Sequence, residues 1–273
     1  MNENQLKNEV KEAYTRAIQS TNKGCGCGCS DGGQTGGNLI QFADYAQDQL
    51  QKLPGDAVEN AFGCGNPLGF QGVKEGDTVV DIGSGAGIDC FIAAEKVGSS
   101  GRVIGVDMTE AMIDRARKNA AEAGIKNVEF KLGDADDMPV EDHSVDWVIS
   151  NCVINLTPDK DKVFAEIMRV LKPGGRVSIS DIVISESLPP HLEQNVRAYT
   201  GCIAGALVEG DYLQKMEAAG LRDVKVKDRI VYDRGQLQGL VESSFGAATS
   251  AVQATLDSIA GKIWSARIIA VKP

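Results

Sequence analysis

The stretch DIGSGAG at residues 81–87 decides the fold of this chain. It begins at the end of the apolar run Thr78–Ile82, which is typical of a buried strand, and an apolar helical pattern follows it to about Val97. Glycines in such a turn let the backbone bend sharply and approach a ligand closely. Asp107 ends the next apolar run, where an acidic side chain can accept hydrogen bonds from both hydroxyls of a ribose. The pattern predicts a cofactor that contains a ribose.

Strand and helix patterns alternate on the C-terminal side of this loop. Two helices are predicted over residues 110–123 and 160–171, and a turn at residues 172–175 closes the second one. Alternation of this kind indicates βαβ crossovers and a parallel sheet. The predicted strands are Thr78–Ile82, Arg102–Asp107, Val128–Leu132, Val145–Ile149 and Arg176–Ile182.

Changes in composition divide the chain into three parts. Residues 1–37 combine a short amphipathic helix with a glycine-rich run, which predicts a flexible arm that carries Cys25, Cys27 and Cys29. Residues 38–185 hold the cofactor-binding core. Residues 186–273 are predicted to form a cap over the ligand site, with helical signals over 191–220 and 236–259, a strand that starts at Val224, and a closing strand over Ile263–Val271.

The composition excludes several classes of partner. The chain has 273 residues and a formal net charge of −10, whereas nucleic acids and anionic membrane surfaces attract clustered Lys and Arg. No run approaches the ~20 apolar residues of a spanning helix, and the polar N-terminus is unlike a signal peptide. We therefore expect a cytoplasmic, monomeric protein that binds a small molecule and neither nucleic acid nor a membrane.

Cysteines are the unusual feature of this composition, since the chain has seven of them and only two histidines. Cys152 follows the fourth predicted strand, at the sheet edge where ligands bind in open α/β folds. Cys64 and Cys202 have glycine on at least one side, which leaves their sulfurs accessible. Cys90 is interpreted as a core residue, because cysteine is commonly buried. Thiols that converge beside a cofactor indicate a soft substrate.

The glycine loop resembles motif I of S-adenosylmethionine (SAM) dependent methyltransferases. A dinucleotide fingerprint needs Gly or Ala where this chain has Ile88. The resemblance implies a Rossmann-like class I SAM-dependent methyltransferase sheet, an α/β fold, with an N-terminal cysteine-bearing arm and a C-terminal cap region. The positions that it assigns to SAM are Gly83, Ser84 and Gly85 for the methionine moiety, Asp107 for the ribose, Met108, Asp134 and Ala135 for the adenine, and also Asp81 and Asn151.

Longer strings are similar to arsenite methyltransferases. They are FGCG at residues 62–65, SNCVINL at 150–156 and GCIAGAL at 201–207. The resemblance implies that Cys64, Cys152 and Cys202 hold As(III) as thiolates, and that the substrate is arsenite, methylarsenite or a thiol conjugate of them. It also implies a thiol reductant, glutathione or thioredoxin, as co-substrate and a role in arsenic detoxification.

Thiolate-bound As(III) keeps a lone pair, so attack on the methyl group of SAM releases no proton and needs no general base. The scarcity of histidine agrees with that chemistry. Two alternatives stay open at this point. One is a SAM-dependent methyltransferase of a small organic acceptor, and the other is a thiol-rich metalloid-binding protein without catalysis. The roles of Cys25, Cys27 and Cys29 also stay open.

Overall fold

The computed structural model describes residues 2–19, 45–67, 72–187, 205–235, 237–238, 257 and 259–273. Cys202 and the three cysteines of the predicted arm lie outside these residues. Most of the helical stretches predicted over 191–220 and 236–259 also fall outside or only partly inside them.

The helices and strands follow the alternation that the sequence predicts. The α-helices are α1 Glu3–Gln19, α2 Gln47–Leu50, α3 Gly55–Glu59, α4 Ile88–Val97, α5 Glu110–Glu122, α6 Lys160–Val170 and α7 Glu209–Ala218, with a 3₁₀ turn at Ile154–Leu156. The strands are β1 Thr78–Ile82, β2 Arg102–Asp107, β3 Val128–Leu132, β4 Val145–Asn151, β5 Leu171–Ile184, β6 Leu207–Val208, β7 Arg222–Val231 and β8 Ile263–Val271.

Within the described residues these strands form a single sheet in the order β3-β2-β1-β4-β5-β8-β7, and β6 pairs with β5. The strands from β3 to β5 are parallel, whereas β8 is antiparallel to both β5 and β7. The predicted α/β fold with a mostly parallel sheet is therefore confirmed. Because β1 lies between β2 and β4, the strand order reverses there, and a crevice opens at the carboxyl ends of β1 and β4.

Alternate residues of the strands support helices on both faces of the sheet. Val80 of β1 belongs to an apolar cluster with α6 and α7, while its neighbour Val79 packs in a second cluster with α4 and α5. Burial on both faces explains why these strands are continuous apolar runs rather than alternating ones. No helix in the described part of the chain is long and apolar enough to cross a membrane.

Two local predictions were wrong. The predicted turn at 172–175 lies inside β5, because Leu171 already pairs with Val145 and the surplus residues form a bulge before Arg176 pairs with Trp147. Gly174 takes a φ of 77° in that bulge, and its N–H donates to the carbonyl of Lys272, the residue that directly follows β8. The predicted helix over 191–220 is interrupted at Leu207–Val208, which form the short strand β6.

One buried carboxyl on β5 makes the stability of this fold depend on pH. Asp181 is fully buried, and burial raises its pKa to about 7 even though the charge of Lys160 opposes the change. The N–H groups of Ile182 and Asn155 and the hydroxyl of Tyr212 donate to its oxygens and limit the rise. The folded chain therefore holds this proton more tightly than the unfolded chain, in which an Asp titrates near pH ~4.

We expect the free energy of unfolding to fall as the pH rises. The contribution of Asp181 is complete below about pH 4 and is lost by about pH 7, which amounts to at most about 4 kcal/mol. Urea unfolding of the wild type and of Asp181→Asn at pH 5, 6, 7 and 8 measures this slope. The variant should show a shallower slope, because Asn carries no proton to lose. Identical slopes in the two proteins would contradict the assignment.

Candidate active site

An open cavity lies at the carboxyl edge of the sheet. Its walls come from the loops that follow β1, β2, β3 and β4, and from Lys7 and Tyr14 of α1 on the opposite side. Most of the predicted site residues line it, namely Gly83, Ser84, Gly85, Asp107, Met108, Asp134, Ala135, Asn151 and Cys152. Their common position follows from the topology, since the carboxyl ends of parallel strands meet at one edge.

The glycine loop needs glycine for two different reasons. Gly83 and Gly85 have φ values of 71° and 51°, in the left-handed region that L side chains rarely adopt. A Cβ at Gly83 would also overlap the side chain of Val153, whereas a Cβ at Gly85 would meet nothing within 4 Å. The N–H groups of Gly83 and Ser84 donate to the Val106 carbonyl at 2.7 and 3.0 Å, which fastens the loop to β2.

Asp107 joins the glycine loop to the end of β2. Its two carboxylate oxygens accept the N–H groups of Gly85 at 3.0 Å and Thr109 at 2.8 Å. Desolvation raises the pKa of this carboxyl, and the two N–H donors oppose the rise. The side chain of Thr109 also donates to this carboxylate. A carboxylate has about four lone-pair positions, so Asp107 keeps capacity for a further donor, and a ribose hydroxyl suits that capacity.

The donors and acceptors at the loop fit a nucleoside cofactor with a polar tail. Ser84 is buried, and its Oγ finds no hydrogen-bond partner among the described residues although it lines the cavity. That hydroxyl faces Gly105 of β2, where a Cβ would lie 2.8 Å from it, so the absence of a side chain there lets the loop pack against the strand. The open space in front of Gly85 leaves room for such a ligand beside the backbone.

Asp81 lies beneath the loop, outside the residues that line the cavity. It is 2% exposed, and its Oδ2 accepts the thiol of Cys90 at 3.2 Å. Burial and the neighbouring carboxylate of Asp89 raise the pKa of Asp81 well above the usual range. Cys90 itself is fully buried, as the sequence predicts. Asp81 therefore contacts Cys90, on the helix that follows the glycine loop, and does not line the cavity.

The fold brings two of the three predicted thiols together. Cys64 and Cys152, which are 88 positions apart in the sequence, are joined by a disulfide with a Cα–Cα distance of 5.8 Å. Cys152 has a φ of 59°, an uncommon conformation for a residue with a side chain, and its N–H donates to the Ser180 carbonyl at 2.8 Å. The hydroxyl of Ser265 donates to Cys64 Sγ at 3.7 Å.

Both sulfurs lie in a largely apolar environment next to the cavity. Cys64 is 7% exposed and Cys152 4% exposed. The sulfurs are therefore screened from water, and few polar groups compete with them for a soft ligand. The buried side chains of this cluster are Val10, Leu156, Ile182, Ile184, Ala206, Tyr232, Leu237, Ile259 and Ile263.

Helix α1 takes part in the site, a role that its sequence does not indicate. Lys7 forms an ion pair with Asp136 at 2.7 Å and lies 3.7 Å from Asp134. The ring of Tyr14 packs edge to face on Phe62, two positions before Cys64, with 5.6 Å between the centroids. The helical spacing of apolar residues was visible in the sequence, but nothing there indicated what the helix packs against.

A second unforeseen group surrounds Asn151. Its Nδ2 lies 3.1 Å from Asp89 Oδ2, 3.0 Å from the Tyr45 hydroxyl and 2.7 Å from the Gly65 carbonyl. Its Oδ1 accepts the Gly65 N–H at 3.2 Å. The Tyr45 hydroxyl donates to Asp89 Oδ1 at 2.7 Å, and burial raises the pKa of Asp89 to about 6. Tyr45 and Asp89 carry no motif, so only the folded chain reveals them.

Comparison with known proteins gives concordant matches. Residues 73–220 match the family described as methyltransferase domain. The chain is 45% identical over 201 residues to an arsenite methyltransferase of Halobacterium salinarum, across 74% of this chain and 50% of that relative. It is 32% identical over 250 residues to an arsenite methyltransferase of Aquipseudomonas alcaligenes, across 88% of this chain and 70% of that relative. The chain thus spans half the length of the first relative.

A solved structure agrees with these sequence matches. The crystal structure of an arsenic(III) S-adenosylmethionine methyltransferase from Chlamydomonas reinhardtii superposes with a TM-score of 0.65 and 29% identity. The match covers 87% of this chain and 74% of the algal chain.

Proposed function

This chain belongs to the arsenite methyltransferase family of SAM-dependent methyltransferases, and from that membership we propose that it methylates trivalent arsenic. One observation carries the proposal: the sulfurs of Cys64 and Cys152 converge beside the cavity formed by the glycine loop and Asp107. A methyltransferase of a small organic acceptor has no need of two distant cysteines in contact. A thiol-rich binding protein has no need of the cofactor cavity.

The cofactor belongs to the core of residues 38–185 in this proposal. Gly83, Ser84 and Gly85 receive the methionine moiety, and Asp107 accepts the ribose hydroxyls. Met108 supports the adenine, and Asp134 with Ala135 meets its edge. SAM, when bound, supplies an electrophilic methyl group on a sulfonium. The protein residues orient that group, and Lys7 and Tyr14 of α1 complete the wall of the cavity that holds it.

Cys64, Cys152 and Cys202 bind the arsenic in this proposal. The described chain resumes at Gly205, and Ala206 packs in the apolar cluster that surrounds both other sulfurs. The cap of residues 186–273, which contains Cys202, contributes the third thiolate in this proposal. As(III) is a soft ion, and thiolates are its preferred ligands.

The arsenic held by these thiolates keeps a lone pair, so transfer of the methyl group would need no general base. With SAM bound, the As–C bond would form as the methyl C–S bond breaks, and the electron pair of that C–S bond would stay on sulfur as S-adenosylhomocysteine. The new bond formally raises arsenic from the trivalent to the pentavalent state, and two thiolates that close a disulfide, as Cys64 and Cys152 do here, would return two electrons and release trivalent methylated arsenic. A cellular thiol such as glutathione or thioredoxin is oxidised as it reduces the Cys64–Cys152 disulfide to two thiols before arsenic binds. The substrates are arsenite and methylarsenite, free or as thiol conjugates, and the role is detoxification by a cytoplasmic monomer.

We expect arsenite, SAM and glutathione together to yield methylated arsenic and one S-adenosylhomocysteine for each methyl group transferred. Chromatographic separation of arsenic species, with S-adenosylhomocysteine measured in the same samples, tests this. Omitting the thiol should abolish the reaction, because the two cysteines stay joined. Arsenite binding without S-adenosylhomocysteine would instead identify a metalloid-binding protein. Turnover of an organic acceptor with arsenic absent would identify a methyltransferase of another class.

A further inference from the structure

The side chain of Asn151 connects the two backbone segments that carry the paired sulfurs. Asn151 directly precedes Cys152, and Gly65 directly follows Cys64. The Asn151 amide bonds both polar groups of Gly65: its Nδ2 donates to the carbonyl at 2.7 Å, and its Oδ1 accepts the N–H at 3.2 Å. One amide therefore replaces the pair of bonds that a neighbouring strand would make with Gly65.

Asp89 and Tyr45 fix which way this amide points. A carboxylate accepts hydrogen bonds, so the atom of Asn151 that lies 3.1 Å from Asp89 must be the Nδ2 donor. The Tyr45 hydroxyl donates its proton to Asp89 at 2.7 Å and can still accept one. The Asn151 Nδ2 has two hydrogens, so one serves the Gly65 carbonyl, and Asp89 at 3.1 Å and the Tyr45 oxygen at 3.0 Å share the other. Since Tyr45 and Asp89 are only 8% and 4% exposed, water does not compete for these bonds. A flipped amide would place its oxygen against the carboxylate.

Gly63 provides the space that this arrangement needs. A Cβ at Gly63 would overlap the Asn151 amide nitrogen and carbonyl carbon. Its backbone has no positive φ, so the requirement for glycine here comes from the close approach of Asn151 and not from backbone conformation. The glycines on both sides of Cys64 therefore contact the same amide.

We propose that Asn151 is a positioning residue that holds the Cys64 loop against the end of β4, so that the sulfurs of Cys64 and Cys152 are presented to a single atom. Asp89 and Tyr45 hold the amide in the orientation that this contact requires. Asn151 lines the cavity, but its amide is bonded to protein groups, which revises the cofactor contact that the sequence resemblance implied. The consequence for arsenic rests on the proposed function, whereas the effect on the two sulfurs does not.

The test measures how closely the two sulfurs are held, without arsenic. In full-length protein with Cys25, Cys27, Cys29 and Cys202 replaced by serine, the equilibrium between reduced and closed Cys64–Cys152 is set against a glutathione buffer. Alkylation followed by mass spectrometry quantifies the closed fraction. This equilibrium constant reports the effective concentration of one thiol at the other, because glutathione is the intermolecular reference.

Asn151→Asp is expected to lower that constant at least tenfold. Aspartate has the same shape, but it cannot donate to the Gly65 carbonyl, and its charge faces Asp89. The matched control is Asn127→Asp, because the Asn127 amide also donates to two backbone carbonyls, those of Ala94 at 3.0 Å and Gly98 at 2.8 Å, remote from the sulfurs. The control should change the constant less than twofold while lowering thermal stability by a similar amount.

Tyr45→Phe keeps the test decisive if Asn151→Asp fails to fold. It removes one hydroxyl, leaves the ring in place, and should lower the same constant about threefold. An unchanged constant in whichever of these variants folds, or an equal decrease in the Asn127→Asp control, would overturn the proposal. In protein with all its cysteines, Asn151→Asp should weaken arsenite binding at least tenfold and SAM binding less than threefold. If the wild type methylates no arsenic but Asn151→Asp still lowers the constant, the proposed function is wrong, whereas the positioning role of Asn151 is supported.

Discussion

Replacing Cys152 with serine is expected to reduce arsenic methylation at least a hundredfold while SAM binding changes less than threefold. Serine has nearly the same size, but its hydroxyl is a hard oxygen donor that stays protonated at neutral pH, so As(III) loses one of its soft ligands. The two remaining thiols bind arsenic less firmly and leave its lone pair without a fixed direction. Because the proposed catalysis is mainly the positioning of two bound reactants, loss of direction lowers the rate itself.

The rate of methylarsenical formation and the calorimetric affinity for SAM together measure this effect. Cys90→Ser is the matched control, because Cys90 is also buried and a serine there can still donate to Asp81 Oδ2. That variant should keep most of its methylation rate. Normal methylation by Cys152→Ser would refute the thiolate site, and an equal loss in both variants would point to a general effect of removing a buried sulfur.

The arrangement of the sheet was predictable because its determinants are local. Most strands of the parallel part are short apolar runs, and each helix has its own apolar periodicity, so β1 to β4 begin where the sequence places them. The errors fall where contacts with distant segments determine the local structure. The bulge that includes Gly174 depends on Lys272, which directly follows β8 and lies almost a hundred residues later in the chain.

Site residues that belong to a recognisable motif were predictable, whereas those without a motif were not. Asp107 and the glycine loop have a recognisable spacing, and the structure places them together at the cavity. Cys64 attracts attention because it lies between two glycines, and Cys152 because it follows the fourth strand at the carboxyl edge of the sheet; the structure joins them. Tyr45, Asp89 and Lys7 are ordinary surface or core residues in a sequence, and only tertiary contacts give them a role.

Removing the carboxylate of Asp107 is expected to raise the dissociation constant of SAM about a hundredfold. Hydrogen bonds to a charged acceptor contribute about 1.5–3 kcal/mol each, and a loss of about 1.4 kcal/mol changes an affinity tenfold. Two ribose hydroxyls that each lose such a bond give the hundredfold change as a lower estimate. The variant also frees the N–H groups of Gly85 and Thr109, so the glycine loop loses its tie to the end of β2.

Calorimetric titration of Asp107→Ala with SAM and with S-adenosylhomocysteine measures this, and both should weaken by the same factor because they share the ribose. Asp146→Ala is the control, since Asp146 also accepts a backbone N–H, that of Thr78 at 2.9 Å, but at the amino end of β1, away from the cavity. It should change SAM affinity less than threefold. If the two variants bind SAM equally well, Asp107 only supports the glycine loop, and another residue accepts the ribose hydroxyls. Adenine alone separates these two roles because it has no ribose. It should bind Asp107→Ala and the wild type equally only if Asp107 acts through the hydroxyls.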